Sequence, residues 1–176
     1  MPNHNAQKKV VIISTGGTIE KTYDELDGSL YNRGAFLKET LTTRIRLPHT
    51  EFEYFSLMSK DSLDMDENDR KIICEEVRKF SALGHPVIVI HGTDTMEVTA
   101  KYCWEKLDDD LLAPVIFTGA MKPFGFIDSD AYQNLIESLL ACRLLYPGFF
   151  VVFHNEIFKV PNVTKSRAMR TFVKLK

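Results

Sequence analysis

Two threonines bracket a pair of glycines in Ser14-Thr15-Gly16-Gly17-Thr18-Ile19-Glu20, and a glycine precedes a threonine–aspartate pair in His91-Gly92-Thr93-Asp94-Thr95. Two further polar groups, Lys60-Asp61-Ser62-Leu63-Asp64 and Thr118-Gly119-Ala120, fall between them and after them, and Lys165 stands near the end in VTKSR. The chemistry on offer is hydroxyl, carboxylate, amine and backbone N–H. A phosphate cradle asks for more, either GxxxxGK[ST] or GxGxxG with a downstream acid. GGT matches neither, and Asp64 and Asp94 would repel a phosphate. A threonine nucleophile fits better, but an alcohol is inert near neutral pH until a base accepts its proton. Thr18 and Thr93 are the candidate nucleophiles. The candidate bases are Tyr23, Asp94 and Lys165, since a lysine beside an aspartate in a part-buried site can carry a proton. Gly17 and Gly92 would let backbone N–H groups approach a developing oxyanion.

These groups need elements to bring them together. The apolar runs Val10–Ser14, Phe52–Leu57, Val87–Ile90, Val115–Thr118 and Phe149–Phe153 are short and rich in β-branched or aromatic residues, the pattern of buried parallel strands. Amphipathic stretches separate them. Ile73, Val77 and Phe80 share one helical face in a helix that Asp66 or Asn68 could start. Met96, Ala100, Cys103 and Leu107 form a second stripe, and Leu135, Ile136, Leu139, Leu140 and Leu144 a third. A further helix is expected around Phe36–Thr43, and the tail after Pro161 has no assignable element. Right-handed βαβ units then predict an α/β fold, a doubly wound, flavodoxin-like sheet with strand order 2-1-3-4-5. Ligands bind such sheets beyond the carboxyl ends of strands 1 and 3. Every polar group named above follows a predicted strand on that rim, except Lys165 in the tail.

Composition bounds the rest. A chain of 176 residues, 44% hydrophobic and 26% charged, carries one sizeable core, so residues 1–176 are expected to form a single domain. A net charge of −2 leaves no electrostatic footprint for nucleic acid or an anionic membrane surface. The polar leader MPNHNAQKK lacks the apolar core of a signal peptide, and no later run is long and apolar enough to span a bilayer, so a cytoplasmic location is expected. Cys74, Cys103 and Cys142 are far apart and read as reduced core thiols, and the histidines show no ligand spacing. No metal and no cofactor is expected. Several polar residues have structural readings. Ser62 could cap a helix, Asp128 and Asp130 could begin the fourth helix, Asn134 could be a buried hydrogen-bonding residue, and His85, His91 and His154 carry no chemical claim.

The motifs TGGTIEKTY, KDSLDM, HGTDTMEVTA, PVIFTGAMKP, SDAYQNL and VTKSR occur in the order found in the amidohydrolase domain of L-asparaginases, and from about residue 9 to about residue 172 the chain resembles that family. The resemblance implies Thr18 as primary nucleophile and Tyr23 brought to it by a closing loop that extends into Asp24–Ser29. It implies Ser62 at the substrate's α-carboxylate and the backbone around Ala120 at the scissile amide, with Gly17, Asp61 and Gly92 also among the substrate-binding residues. Thr93, Asp94 and Lys165 would form a second catalytic set, Asp94 also taking the α-ammonium group. The implied reaction is hydrolysis of L-asparagine to L-aspartate and ammonia through an acyl-enzyme. A glutaminase-asparaginase, the ammonia-producing component of a tRNA amidotransferase, and an amino-acid-binding module without turnover are the alternatives. The partner is then a small amino acid, and the family's habit implies a homo-oligomer, dimer or tetramer. Two departures stand out. The smaller C-terminal domain of long members has no counterpart in these residues, which leaves a short single-domain form, favoured by the match in KDSLDM, or a truncated chain, and Leu63 follows Ser62 where many members carry a polar residue. Both thin out recognition of the α-amino group.

Overall fold

Alternation of side chains builds the centre of the molecule. Val10, Ile12, Ile88 and Ile90 face one side of a sheet, Val11, Ile13, Val87 and Val89 the other, and all are buried. The computed structural model describes residues 8–32 and 35–175, so part of the polar leader lies outside it. The strands are β1 (Lys8–Gly16), β4 (Thr50–Lys60), β5 (Val87–Ile90), β6 (Pro114–Thr118), β7 (Gly148–Phe153) and β8 (Glu156–Lys159). They join in the order β4-β1-β5-β6-β7-β8, parallel throughout except for β8, which turns back antiparallel on β7. With β4, β5, β6 and β7 as the second to fifth predicted strands, this is the doubly wound order expected from sequence, extended by one edge strand.

Helices α2 (Glu67–Ser81) and α3 (Met96–Leu107) cover one face, and α1 (Ala35–Arg44) and α4 (Ala131–Leu144) the other. Burying both faces explains why β5 and β6 read as unbroken apolar runs. Two pairs lie off the sheet: β2 (Lys21–Tyr23) with β3 (Leu30–Asn32), and β9 (Val163–Ser166) with β10 (Thr171–Lys174). The second pair gives structure to a tail that carries no clear element signal in the sequence. The stripe expected on α4 is narrower than its leucines suggest. Leu135 and Leu139 are buried with Ala131 and Cys142, whereas Ile136, Leu140 and Leu144 face out. Small residues take the sheet-facing positions there, and the extra apolar side chains remain at the surface.

The start of α2 fixes the end of β4. Asp66 accepts the Asp69 N–H at 2.9 Å and Asp69 accepts the Asp66 N–H at 3.0 Å, a reciprocal cap. Both Asp69 oxygens also accept from the Lys60 ammonium at 2.8 Å, which holds the Asp69 carboxyl below its ordinary range. The segment carrying Ser62 is thus tied at both ends. Because Lys60 favours the charged form, Asp69's contribution to stability is complete above the ordinary carboxylate range and fades as pH falls through it. Asp69→Asn should be less stable than the parent near pH 7. The gap in denaturation midpoint should close as pH is lowered from about 5 towards 2. A gap that stays constant over that range would show that the carboxylate charge contributes nothing.

Candidate active site

The ends of β1 and β5 meet backbone to backbone. Gly17 has φ +88°, and a Cβ there would lie 2.6 Å from both the Cα and the N of Gly92. A Cβ on Gly92 would lie 2.6 Å from Ser62 Oγ. The approach of the two loops thus requires glycine at position 17, and the packing of Ser62 over the second loop favours glycine at position 92. Gly17 N–H also donates to Lys60 O at 3.1 Å, where the β1–β4 register slips between Ser14 and Gly16. Three of the polar groups expected to converge on one rim are therefore in direct contact. Thr18 is half-buried, one residue beyond this contact. Glu20 is fully buried and accepts from the Tyr54 hydroxyl at 2.6 Å, which anchors the turn after Thr18 to β4.

Asp61 caps the short 3-10 turn Ser62–Asp64 by accepting the Leu63 N–H at 3.1 Å, and that bond, aided by Lys21 at 3.1 Å, lowers its pKa. Ser62 is buried with its backbone oxygen held by Thr95 Oγ1 at 2.8 Å. Its own hydroxyl has no partner among the described residues. A buried hydroxyl left unpaired costs free energy, and such orphans concentrate where a ligand or water completes them. The Leu63 side chain is exposed.

Lys165, carried on β9, reaches across to the loop after β5. Its ammonium donates to Thr93 Oγ1 at 2.7 Å and to Asp94 Oδ1 at 2.9 Å. Thr93 is buried, and the Lys165 and Asp94 side chains are 14% and 33% exposed, so the pair is only partly screened. Since Thr93 Oγ1 accepts from Lys165, its own hydrogen is left to point elsewhere. Arg167 lies 3.8 Å from the same Asp94 oxygen. Glu97 stands just below, its carboxyl pushed up by burial and partly drawn back by a hydrogen bond from the Lys165 backbone.

Ala120 is buried on the loop beyond β6, and Phe124 N–H in the same loop donates to Ile19 O at 3.2 Å, next to Thr18. Within the described residues Ala120's own peptide groups make no hydrogen bond. Tyr23 makes no hydrogen bond to Thr18 among the described residues. Its ring is 61% exposed at the end of β2, and a Cβ on Gly28 would lie 3.6 Å from its hydroxyl. Sequence reasoning also undervalues Asp130 and His154. Asp130 occupies the N-cap position of α4, yet its side chain caps nothing in the helix. Its carboxylate instead accepts from the N–H groups of Met121 and Lys122, from Asn134 Nδ2 and from His154 Nε2. Asp128 precedes the helix and pairs with Lys122. Asn134 is the buried hydrogen-bonding residue that its setting suggests.

His91 closes β5 and is fully buried. Nδ1 lies 2.8 Å from Gly92 O, so Nδ1 carries the hydrogen and Nε2 is bare, without a partner among the described residues. Burial lowers its pKa to about 4. Between the ordinary histidine range and that value the unfolded chain takes up a proton that the folded one refuses, so stability present at neutral pH is lost as pH falls. Relative to His91→Gln, the parent should lose on the order of 3 kcal/mol between pH ~6.5 and pH ~4 in urea unfolding. Parallel pH profiles for the two proteins would refute this.

Residues 9–173 match the family model for the N-terminal asparaginase domain. L-asparaginase 1 of Escherichia coli (strain K12) is 31% identical over 169 residues, 92% of this chain and 48% of that protein. A glutamyl-tRNA(Gln) amidotransferase component of Aeropyrum pernix is 33% identical over 160 residues, 88% of this chain and 37% of that protein. Among solved structures, the thermostable L-asparaginase from Thermococcus kodakarensis superposes with a TM-score of 0.85 at 26% identity, covering 94% of this chain and 51% of that one. The chain spans about half the length of these relatives or less. Sequence, fold and rim agree, and this chain belongs to the asparaginase family, matching its N-terminal domain.

Proposed function

We propose that the chain is an amidohydrolase that releases ammonia from the side-chain amide of L-asparagine and leaves L-aspartate, with Thr18 as nucleophile. The observation that carries this reading is the Lys165 ammonium bonded at once to the Thr93 hydroxyl and the Asp94 carboxylate, on the rim that the Gly17–Gly92 contact shares with Thr18. In the reaction, Thr18 Oγ adds to the carboxamide carbon and gives up its proton while the carbonyl oxygen takes the electron pair. Collapse breaks the C–N bond, and the nitrogen leaves as ammonia with the proton released by Thr18. Water then adds to the Thr18 ester, and the second collapse frees the carboxylate and returns a proton to Thr18.

Each remaining group has a part. Lys165 donates to Thr93 Oγ1, so the Thr93 hydrogen is available to the leaving nitrogen or the incoming water. The unpaired, buried Ser62 hydroxyl suits the α-carboxylate, with Asp61 holding its turn, and Asp94 keeps exposed surface for the α-ammonium. Gly17 and Gly92 let the two loops and Ser62 close on one another, and the unbonded peptide groups of Ala120 suit the reacting amide. Tyr23 can serve as base only if the β2–β3 hairpin folds inward from its exposed position.

An ammonia assay across L-asparagine, L-glutamine and their D-forms tests the reading. L-asparagine should be the preferred substrate. Thr18→Ala should lower the rate by roughly a thousandfold or more, and Lys165→Met by about a hundred- to ten-thousandfold. Preference for L-glutamine would shift the reading to another amidase of the family. Calorimetric binding of asparagine with no ammonia from the parent would leave a binding module.

A further inference from the structure

We propose that His154 and Asp130 are positioning residues of this site, together setting the Ala120 peptide and linking it to the hairpin that carries Lys165. The inference deepens the amidohydrolase reading and rests on it for its catalytic consequence. Asp130 accepts Met121 N–H at 3.0 Å with both oxygens and Lys122 N–H at 3.1 Å. Asn134 Nδ2 donates to Asp130 Oδ2 at 3.0 Å and to Gly119 O at 3.0 Å. The carbonyl before Ala120 and the N–H groups after it are thus both held from the first turn of α4. The peptide groups of Ala120 are left over, aimed by their neighbours rather than bonded themselves.

His154 completes the frame. Its backbone N–H donates to Asn134 Oδ1 at 2.9 Å and its ring Nε2 lies 2.9 Å from Asp130 Oδ2. A carboxylate accepts, so Nε2 carries a hydrogen. The other nitrogen, Nδ1, lies 3.0 Å from Thr171 Oγ1, and Thr171 pairs with Ser166, the residue after Lys165. One imidazole therefore joins the loop after β6, the turn after β7 and the β9–β10 hairpin. The Asp130 carboxylate is 15% exposed and has its acceptor sites filled by these donors, so losing one leaves a charge short of a partner rather than a slack surface contact.

The experiment compares His154→Phe, which keeps a ring beside Phe153 and loses both ring hydrogen bonds, with His154→Gln, whose amide can still donate to Asp130. Two readouts are taken on folded protein. Hydrogen–deuterium exchange over residues 119–122 should rise in the Phe variant and recover in the Gln variant, with exchange in β5 unchanged. Ammonia release from L-asparagine should fall about ten- to a hundredfold in kcat for the Phe variant, with KM within about twofold, and be largely restored in the Gln variant. A purely structural histidine would lower Tm in the Phe variant while leaving kcat per folded molecule and local exchange unchanged, and that result overturns the proposal. If the parent releases no ammonia, the amidohydrolase reading fails by itself, and the exchange measurement still decides whether His154 and Asp130 hold the loop.

Discussion

A close approach of two backbones, Gly17 against Gly92, is the contact on which the site depends. A Cβ on Gly17 would lie 2.6 Å from main-chain atoms that cannot rotate aside. The ends of the first and third parallel strands can therefore come this near only if position 17 carries no side chain, while position 92 must be bare to admit Ser62. The winding of the sheet reverses at this point, because β1 has β4 on one side and β5 on the other. Reversal opens a crevice between the two loops, and Thr18 and Thr93 each follow directly on one of the two glycines that meet there. Ser62 enters by the same route, since its Cβ and Oγ occupy the space above Gly92.

Charge around this contact is arranged to hold loops more than to add bulk stability. Lys60–Asp69 and Lys21–Asp61 each join a loop to a neighbouring element, and Lys165–Asp94 spans the crevice wall. Pairs on the helix surfaces such as Lys71–Glu75 and Lys101–Glu105 are more than half exposed on both sides and contribute about 0–1 kcal/mol. The crevice pairs differ because Asp69 and Lys165 are largely enclosed, and Asp61, Asp69 and Lys165 each also make a backbone or hydroxyl hydrogen bond. They limit where a loop can go, and that restriction matters to a site whose reacting groups come from separate strands.

The sheet is legible in the sequence because its physics is local. A strand buried on both faces must be apolar throughout, as VIVI and PVIFT are, and a crossover between parallel strands must be helical. The motif groups are legible because they follow those strands. The β9–β10 pair is not, since its strands are short and mixed in burial and have no sheet to imprint an alternation. Asp130 escapes for a related reason. An acid just before a helical stretch has the pattern of an N-cap, and nothing along the chain reveals that its partners lie across a turn at Met121 and Lys122. Tyr23 stands out by its place in the motif, and its orientation depends on a hairpin whose base is tied to the body through Glu20 and Lys21.

The placement of Lys165 shows how an element outside the sheet can still serve it accurately. A two-stranded ribbon is marginal alone, so the lysine's position must come from what the ribbon leans on. Phe172, opposite Lys165 in the ladder, is buried with its ring edge against Phe153 at 5.1 Å, which joins the ribbon to β7 by apolar contact. The β9 strand that carries Lys165 packs against α3, which joins the ribbon to that helix. Thr171 meets the His154 ring, which joins it to the turn after β7. Anchored in three directions, the ribbon has little freedom to rotate, and the lysine's own flexible stem is taken up by Thr93 and Asp94. A long cationic side chain on a mobile tail would sample many positions and spend little time within reach of a hydroxyl; on this ribbon it is delivered to one. The last described strands therefore serve the crevice through Lys165 and the core through Val163 and Phe172.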